Sequence, residues 1–522
     1  MILEKSKNAK RNITFGFINK IVVMLLPFMV RTMIIKIMGE EFLGLNSLFT
    51  SILQVLNLSE LGFSSAVTYS MYKPIAEDNK PAICALLNFY RKAYFFIGLI
   101  VLGVGFSMMP FLKHLIKGEI PVDINIYILY LFYLISTASS YLLFGYKISL
   151  LNGYQRQDVI SNVLTITQTL MYVLQMVAIY FTKNYYIYLL MMPVCTILNN
   201  IINCYIVDRL YPDFKCEGKI QDRELSSIKK QVPGLMINKL CYISRNSFDS
   251  IFISAYLGLK LSAIYGNYYY IMNALVAILQ VVSNSVLAGV GNSQVTLSVE
   301  ENYATMKKMN FVYMWISGFC MTSLLCMYQP FMKLWVGEDL MCDYLTVILF
   351  ALYFYALEMG VVRGIYSDAA GLWWENRYRA IIESLINFVL NYSLVRLMGI
   401  NGIILATLLS LFVINFCWGS QIVFKYYFKD AKKMVAYYRF HAIFFLVTVV
   451  ISSITVMVCR FININVWADV IIKLAICAIL PNLLYLAAFY KTEMYAESIG
   501  WILSKFKLDK KLSFLIPDRR ED

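Results

Sequence analysis

Lys20 and Arg31 in the first apolar stretch, Glu60 at the end of the second, and Lys239, Arg245 and Asp249 in a stretch near the middle are ionisable residues set in otherwise greasy sequence. Each costs roughly 2.5 to 3.5 kcal/mol at the centre of a membrane helix, so each needs somewhere wet or charged to point. At about 100° per residue, Asn238, Tyr242, Arg245 and Asp249 fall on one stripe of a helix while Phe248, Ile251 and Phe252 look elsewhere. That helix is expected to have a water side. Lys20 and Arg31 likewise share a face, with Pro27 between them on the same stripe to bend the helix. Interior cations of this kind suit oxyanions: the planar fork of Arg takes two phosphate oxygens and Lys acts as a mobile point charge. Glu60 and Asp249 are the candidates for carrying a coupling proton or cation.

The chemistry implied is binding rather than bond making. Gly289-Val290-Gly291 lacks the Gly-Lys-Ser ending and preceding strand of a phosphate loop, and no paired nucleophile and base stands out. The 11 cysteines are scattered without a C-x-x-C pair, and the 2 histidines, His114 and His441, are far apart. Neither a disulfide framework nor a metal site is expected. The chain therefore reads as a non-enzyme without catalytic residues, metal or cofactor.

Two polar groupings admit more than one reading. Asn46, Thr50, Gln54 and Asn57 form one stripe of the second apolar stretch; they either line a cavity or glue helices together, at about 0.6 kcal/mol each. Arg363, Asp368, Glu375, Arg377, Arg379 and Glu383 crowd a turn between two later stretches. This is either a solvated, salt-bridged loop or a gate, for which Arg363, Asp368 and Glu383 are the candidates.

The elements that must position these residues are membrane helices. With 522 residues, 60% of them hydrophobic, and apolar runs of about 20 recurring from end to end, the chain is expected to be an all-α polytopic membrane protein of about fourteen spans. The net charge of +14 does not call for nucleic acid. Most of the 46 Lys and Arg fall in alternate connections, which by the positive-inside rule places both termini in the cytoplasm. Ile18-Asn19-Lys20 recurs as Ile237-Asn238-Lys239, and Gly39 and Gly258 stand at matching distances from their lysines. An offset of about 220 residues is the pattern of two lobes built from a structural repeat, with the site at the repeat interface.

The expected organisation is a basic leader (1–12), an N-lobe of six spans (13–208), a basic linker (209–230), a C-lobe of six spans (231–428), two further spans (429–490) and a basic amphipathic tail (491–522) on the anionic inner leaflet. The pair of spans from Val159 to Val207, with few charges and many aromatics, is expected to pack against lipid.

Several runs together resemble one family: ELGFSSAVTYSMYKP ending at Lys73-Pro74; INK, RNSFDSIFISAYLGL and IYGNYYY between Ile237 and Tyr269; Val290-Gly291-Asn292; and YSDAAGLWWENRYRAIIES within Arg363 to Ser384. They are similar to the Wzx-type polysaccharide repeat-unit flippases of the multidrug/oligosaccharidyl-lipid/polysaccharide (MOP) exporter superfamily. The resemblance implies fourteen helices in two lobes plus two. It also implies movement of an undecaprenyl-pyrophosphate-linked oligosaccharide across the bacterial cytoplasmic membrane for capsule, O-antigen or exopolysaccharide synthesis. Polymerase or assembly proteins are the partners it suggests. A cationic cavity is implied as well, which Lys20, Arg31, Lys239 and Arg245 could form; Asp249 beside Arg245 is a departure that could neutralise part of its charge.

An isolated charge costs on the order of tens of kcal/mol to bring into hydrocarbon, so a wet, positively lined cavity is what a sugar diphosphate needs. The head group is expected to meet the basic residues while the polyprenyl tail stays in lipid. Membrane potential, H+ and Na+ all stay open as driving forces. Alternatives are a flippase for a peptidoglycan or teichoic-type precursor and a MATE-like multidrug exporter, which should favour an acidic cavity.

Overall fold

The computed structural model describes residues 23–57, 70–72, 74–75, 77–118, 120–121, 124–154, 156–220, 222–462 and 464–505. Lys20 and Glu60 lie outside the described residues. Among the described residues the regular structure is helical throughout, without a strand. Among these residues eight helices are long and apolar enough to cross a membrane, or nine when one bent pair is taken as a span.

The local sequence explains where the helices start and turn. α1 (23–37) and α2 (Glu40–Leu56) meet at Gly39, with φ 113°. Its matched residue Gly258, with φ 100°, separates α8 (Asp222–Leu257) from α9 (Leu259–Thr296). Both glycines thus supply the positive φ that a side chain resists, at the same kind of helix break. α3 (Lys80–Met108) opens with Pro81 and an Asn79 side chain that accepts from the Ala82 amide, and α4 (Ile126–Leu142) is capped by Asn125. α4 bends by 50° into the Gly145–Gly153 segment, which ends in α5 (Ile148–Gly153). α6 (Gln157–Thr182) and α7 (Tyr185–Leu210) are joined by Lys183-Asn184, where Asn184 caps the second helix. These caps satisfy amide donors that a helix start otherwise leaves orphaned.

The chain forms two compact units, Met1–Gly266 and Asn267–Asp522. In the first, α7 packs against α4 and α6, α3 packs on α4, and α8 lies along α2. Phe49, Tyr130, Tyr133 and Leu134 are in its core. The sequence reading places the linker at 209–230, whereas the compact units divide inside α9.

In the second unit α10 (Val299–Trp335) is the hub, contacting α11 (Tyr344–Glu358), α12 (Val361–Ala369), α15 (Ala431–Arg460), α16 (Val466–Phe489) and α17 (Glu493–Lys505). Its start carries a full capping box, Ser298 with Glu301. α13 (Arg377–Met398) packs against α14 (Ile400–Leu409). The chain then runs through π-helical turns at Ser410–Trp418 and Phe424–Phe428, separated by the α-helical turn Gly419–Val423.

Candidate functional site

α8 carries Lys239, Arg245 and Asp249, and the deeper two are not on a water side. Arg245 is 1% exposed and Asp249 0%, while Tyr242 on the same stripe is 53% exposed. The reason is local satisfaction: Tyr265, early in α9, donates its hydroxyl to Asp249 Oδ2 at 3.1 Å, and buried polar groups persist where they are hydrogen-bonded. The Arg245 guanidinium lies 5.1 Å from the Tyr242 ring centroid, a cation–π contact. Its Nε donates to Asn246 Oδ1 at 3.4 Å. Lys239, nearer the start of the helix, is half-buried.

Arg31 of α1 is also half-buried. Its Nη2 lies 3.2 Å from the point that a Cβ on Gly266 would occupy, and Ser47 Oγ of α2 lies 3.0 Å from that point. The adjacent residues Tyr265 and Gly266 of α9 therefore receive Asp249 and Arg31 from two different helices. The structure brings Arg31, Asp249 and the start of α9 to one place, with Arg245 one turn before Asp249.

The polar stripe of α2 is occupied by neighbours. Tyr133 donates to Asn46 Oδ1 at 2.7 Å, Tyr141 to Asn57 Oδ1 at 2.9 Å, and Ser247 to Gln54 Oε1 at 3.5 Å. Of the two readings, interhelical bonding accounts for Asn46 and Asn57; Thr50 and Gln54 stay exposed.

The three gate candidates separate. Arg363 is 6% exposed and Glu383 5%, and Asn415 joins them. Arg363 Nη1 donates to the Asn415 carbonyl at 2.9 Å and Nη2 to its Oδ1 at 3.0 Å. Asn415 Nδ2 in turn donates to Glu383 Oε2 at 3.0 Å, and Arg379 Nη1 to the same oxygen at 2.6 Å. Asn415 sits in the first π-helical stretch, whose geometry is frequent at functional positions. Asp368 is exposed and accepts from Trp373 Nε1 at 3.2 Å. Asp368 is thus on the surface, whereas Arg363 and Glu383 belong to a buried network.

Three features escape a linear reading. Glu358, 2% exposed near the end of α11, accepts from Tyr313 at 2.5 Å, placing another carboxyl within a span. His441 is buried on α15, 3.0 Å from Asn310 Nδ2. Cys326, Cys459 and Cys477 come from α10, α15 and α16, and their Sγ atoms lie within 4.8 Å of one another, all buried. Three of the eleven scattered cysteines thus gather, and this trio has the soft donors that would suit a thiophilic ion. Helix packing between different helices makes all three juxtapositions, which no local spacing rule can supply.

No family model and no curated protein matches the chain. Among solved structures it is similar to the lipid II flippase MurJ in an inward closed conformation, with TM-score 0.67 and 14% identity over 91% of this chain and 99% of that one. It is similar as well to the Vibrio cholerae MATE transporter VcmN, with TM-score 0.55 and 14% identity over 82% and 99%. A third similar structure is a MOP superfamily transporter from Pyrococcus furiosus described as having a binding pocket of reverse polarity. It has TM-score 0.53 and 12% identity over 81% of this chain and 97% of that one. The fold of this chain is the multi-pass helical fold that these transporters share.

Proposed function

We propose that this protein is a MOP-type transporter that flips an undecaprenyl-pyrophosphate-linked oligosaccharide repeat unit across the bacterial cytoplasmic membrane by alternating access, serving surface polysaccharide synthesis. The observation that carries the reading is the likeness to a lipid II flippase over nearly the whole of both chains. Guanidinium groups embedded in the first unit support it. Arg31 and Arg245 suit pyrophosphate, with Lys239 and Lys20 as further cations, and Asp249 and Glu60 stand as coupling candidates. The fourteen-span count, the cytoplasmic termini and the lack of enzymatic activity belong to this reading. A peptidoglycan-type precursor is the second substrate class, favoured by what MurJ is named for.

The test is transport by the purified protein in proteoliposomes loaded with fluorescent undecaprenyl-pyrophosphate glycans, scored by accessibility to a membrane-impermeant lectin. Wild type moves the lipid-linked oligosaccharide, and Arg31→Gln lowers the rate by about tenfold, the loss of one charge-assisted contact. Movement of lipid II alone selects the second class; movement of neither overturns both. An imposed inside-negative potential favours outward movement of negative charge by about 2.3 kcal/mol per charge per 100 mV. Rates indifferent to the sign of the potential exclude a voltage-driven step.

A further inference from the structure

The first unit contains a cavity of about 440 Å³ bounded by α3, the α4–α5 bend, α6 and α7. The spans forming two of its walls, α6 and α7, are those the sequence reading assigns to lipid packing. Their outer surface does carry large exposed side chains such as Tyr180, Phe181 and Tyr205. The inner surface is different in kind. Thr167 and Gln168 of α6 face Thr196, Asn199 and Asn200 of α7. Ser136 and Ser140 of α4, and Asn152 of α5, complete a hydroxyl-and-amide lining. Its lining includes no Asp, Glu, Lys or Arg.

Such a lining is costly inside a membrane protein unless its polar groups are hydrogen-bonded, to the protein or to an occupant. Most of it is satisfied internally: Ser136 and Thr196 hydroxyls lie 3.0 Å apart, Thr167 donates to Asn199 Oδ1 at 3.2 Å, and Asn200 Nδ2 donates to the Ser139 carbonyl at 3.2 Å. Gln168 Oε1 is buried without a hydrogen-bond partner among the described residues. Tyr90 and Tyr94 form the α3 wall, with hydroxyls 3.0 Å apart and rings 4.4 Å apart. A neutral chamber combining amides and hydroxyls with the apolar side chains of Ile148, Leu164, Met171 and Met192 has the chemistry to hold a sugar ring. Sugar C–H faces pack on the apolar side chains, and ring hydroxyls find both donors and acceptors in amide and hydroxyl groups. It lacks the formal charge that a pyrophosphate or a cationic drug would require.

We infer that this cavity is a glycan subsite, taking one or two neutral or N-acetylated sugar residues of a lipid-linked substrate, separate from the cationic residues proposed for its pyrophosphate. The assignment rests on the flippase reading for its source of sugar but not for its chemistry. The pyrophosphate contacts retain the head group, and the subsite discriminates among head groups.

Two measurements on the full-length purified protein test it. The first is binding of a panel of free hexoses, N-acetylhexosamines and their disaccharides, read by calorimetry. At least one binds saturably, and both Gln168→Leu and the milder Thr167→Val weaken that binding by about fivefold or more, with the melting temperature kept as a check on folding. No saturable binding across the panel, or binding indifferent to both variants, overturns the subsite. The second compares proteoliposome flipping of undecaprenyl pyrophosphate with and without its glycan. The two variants slow the glycan-bearing lipid and leave the bare lipid unchanged, whereas Arg31→Gln slows both. Equal slowing of both lipids by the Gln168 and Thr167 variants also overturns the subsite. Failure of wild type to flip either lipid, with sugar binding intact, defeats the flippase reading alone.

Discussion

At the scale of the residue, the organising fact is that buried charges here are met by neutral polar groups as well as by opposite charges. Asp249 has the Tyr265 hydroxyl, Glu358 the Tyr313 hydroxyl, and Arg363 both polar atoms of Asn415 that can accept. Removing one side of such an arrangement leaves a buried polar group unsatisfied, which costs about 1 to 3 kcal/mol and more for a charge. Asn415→Leu therefore destabilises the protein by about 1 to 3 kcal/mol, seen as a lower melting temperature in detergent, because it removes the amide from both Arg363 and Glu383 and leaves them the Asn415 carbonyl and Arg379. A melting temperature unchanged by Asn415→Leu refutes the network's role. On the surface, the hydrogen bond from Lys80, 2.8 Å from Asp213, holds the Asp213 carboxyl below the usual carboxylate range. The folded pKa lies below the unfolded one, so the stabilisation is present above the unfolded value and disappears as pH falls through the folded value. Both groups are exposed, so the effect is small and screened by salt. Asp213→Asn should flatten the acid limb of the melting-temperature profile at low ionic strength and leave neutral pH nearly unaffected.

At the scale of the element, sequence periodicity revealed which stretches are helical and which carried charge, because apolar spacing and caps are local. The glycine pair Gly39 and Gly258 was legible for the same reason, and each closes one helix where the next begins. What periodicity could not supply was which polar stripe meets which neighbour. By spacing alone the stripe holding Asn46 and Asn57 suits water and glue equally; Tyr133 and Tyr141 against it decide for glue. Likewise α6 and α7 have few charges, which reads as lipid packing, but absence of charge is also what a neutral polar chamber requires. Close packing of α2 makes a further demand: a Cβ on Gly44 would stand 2.3 Å from the Leu259 carbonyl oxygen, a backbone atom that cannot swing aside. Gly44→Ala should force α2 away from the start of α9, lowering the melting temperature and the yield of monodisperse protein. Gly103→Ala, where a Cβ meets nothing within 4 Å, is the matched control.

At the scale of the whole molecule, the membrane character and helical fold follow from composition, and the solved structures similar to this chain share that fold at 11–14% identity. Sequence similarity that low preserves helix order while replacing nearly every contact, so substrate identity must come from the chain's own side chains. Orientation rests on the distribution of basic residues, and it has a direct measurement. Alkaline phosphatase fused after Glu217 should be inactive and after Asp339 active, as expected if the first connection faces the cytoplasm and the second the exterior. The reverse pattern would invert the proposed direction of transport.

A ring closed by an i→i+5 bond encloses one residue more than the ring of an ordinary α-turn. Between Ser410 and Trp418 the backbone therefore carries surplus length, and Asn415 lies within that surplus. If the stretch tightened to α geometry, the phase of the chain beyond it would turn by about 100° per residue absorbed. The amide now shared by Arg363 and Glu383 would swing away in the same motion. Rotation of this segment would thus cost Arg363 and Glu383 the neutral group they share and leave Glu383 to Arg379.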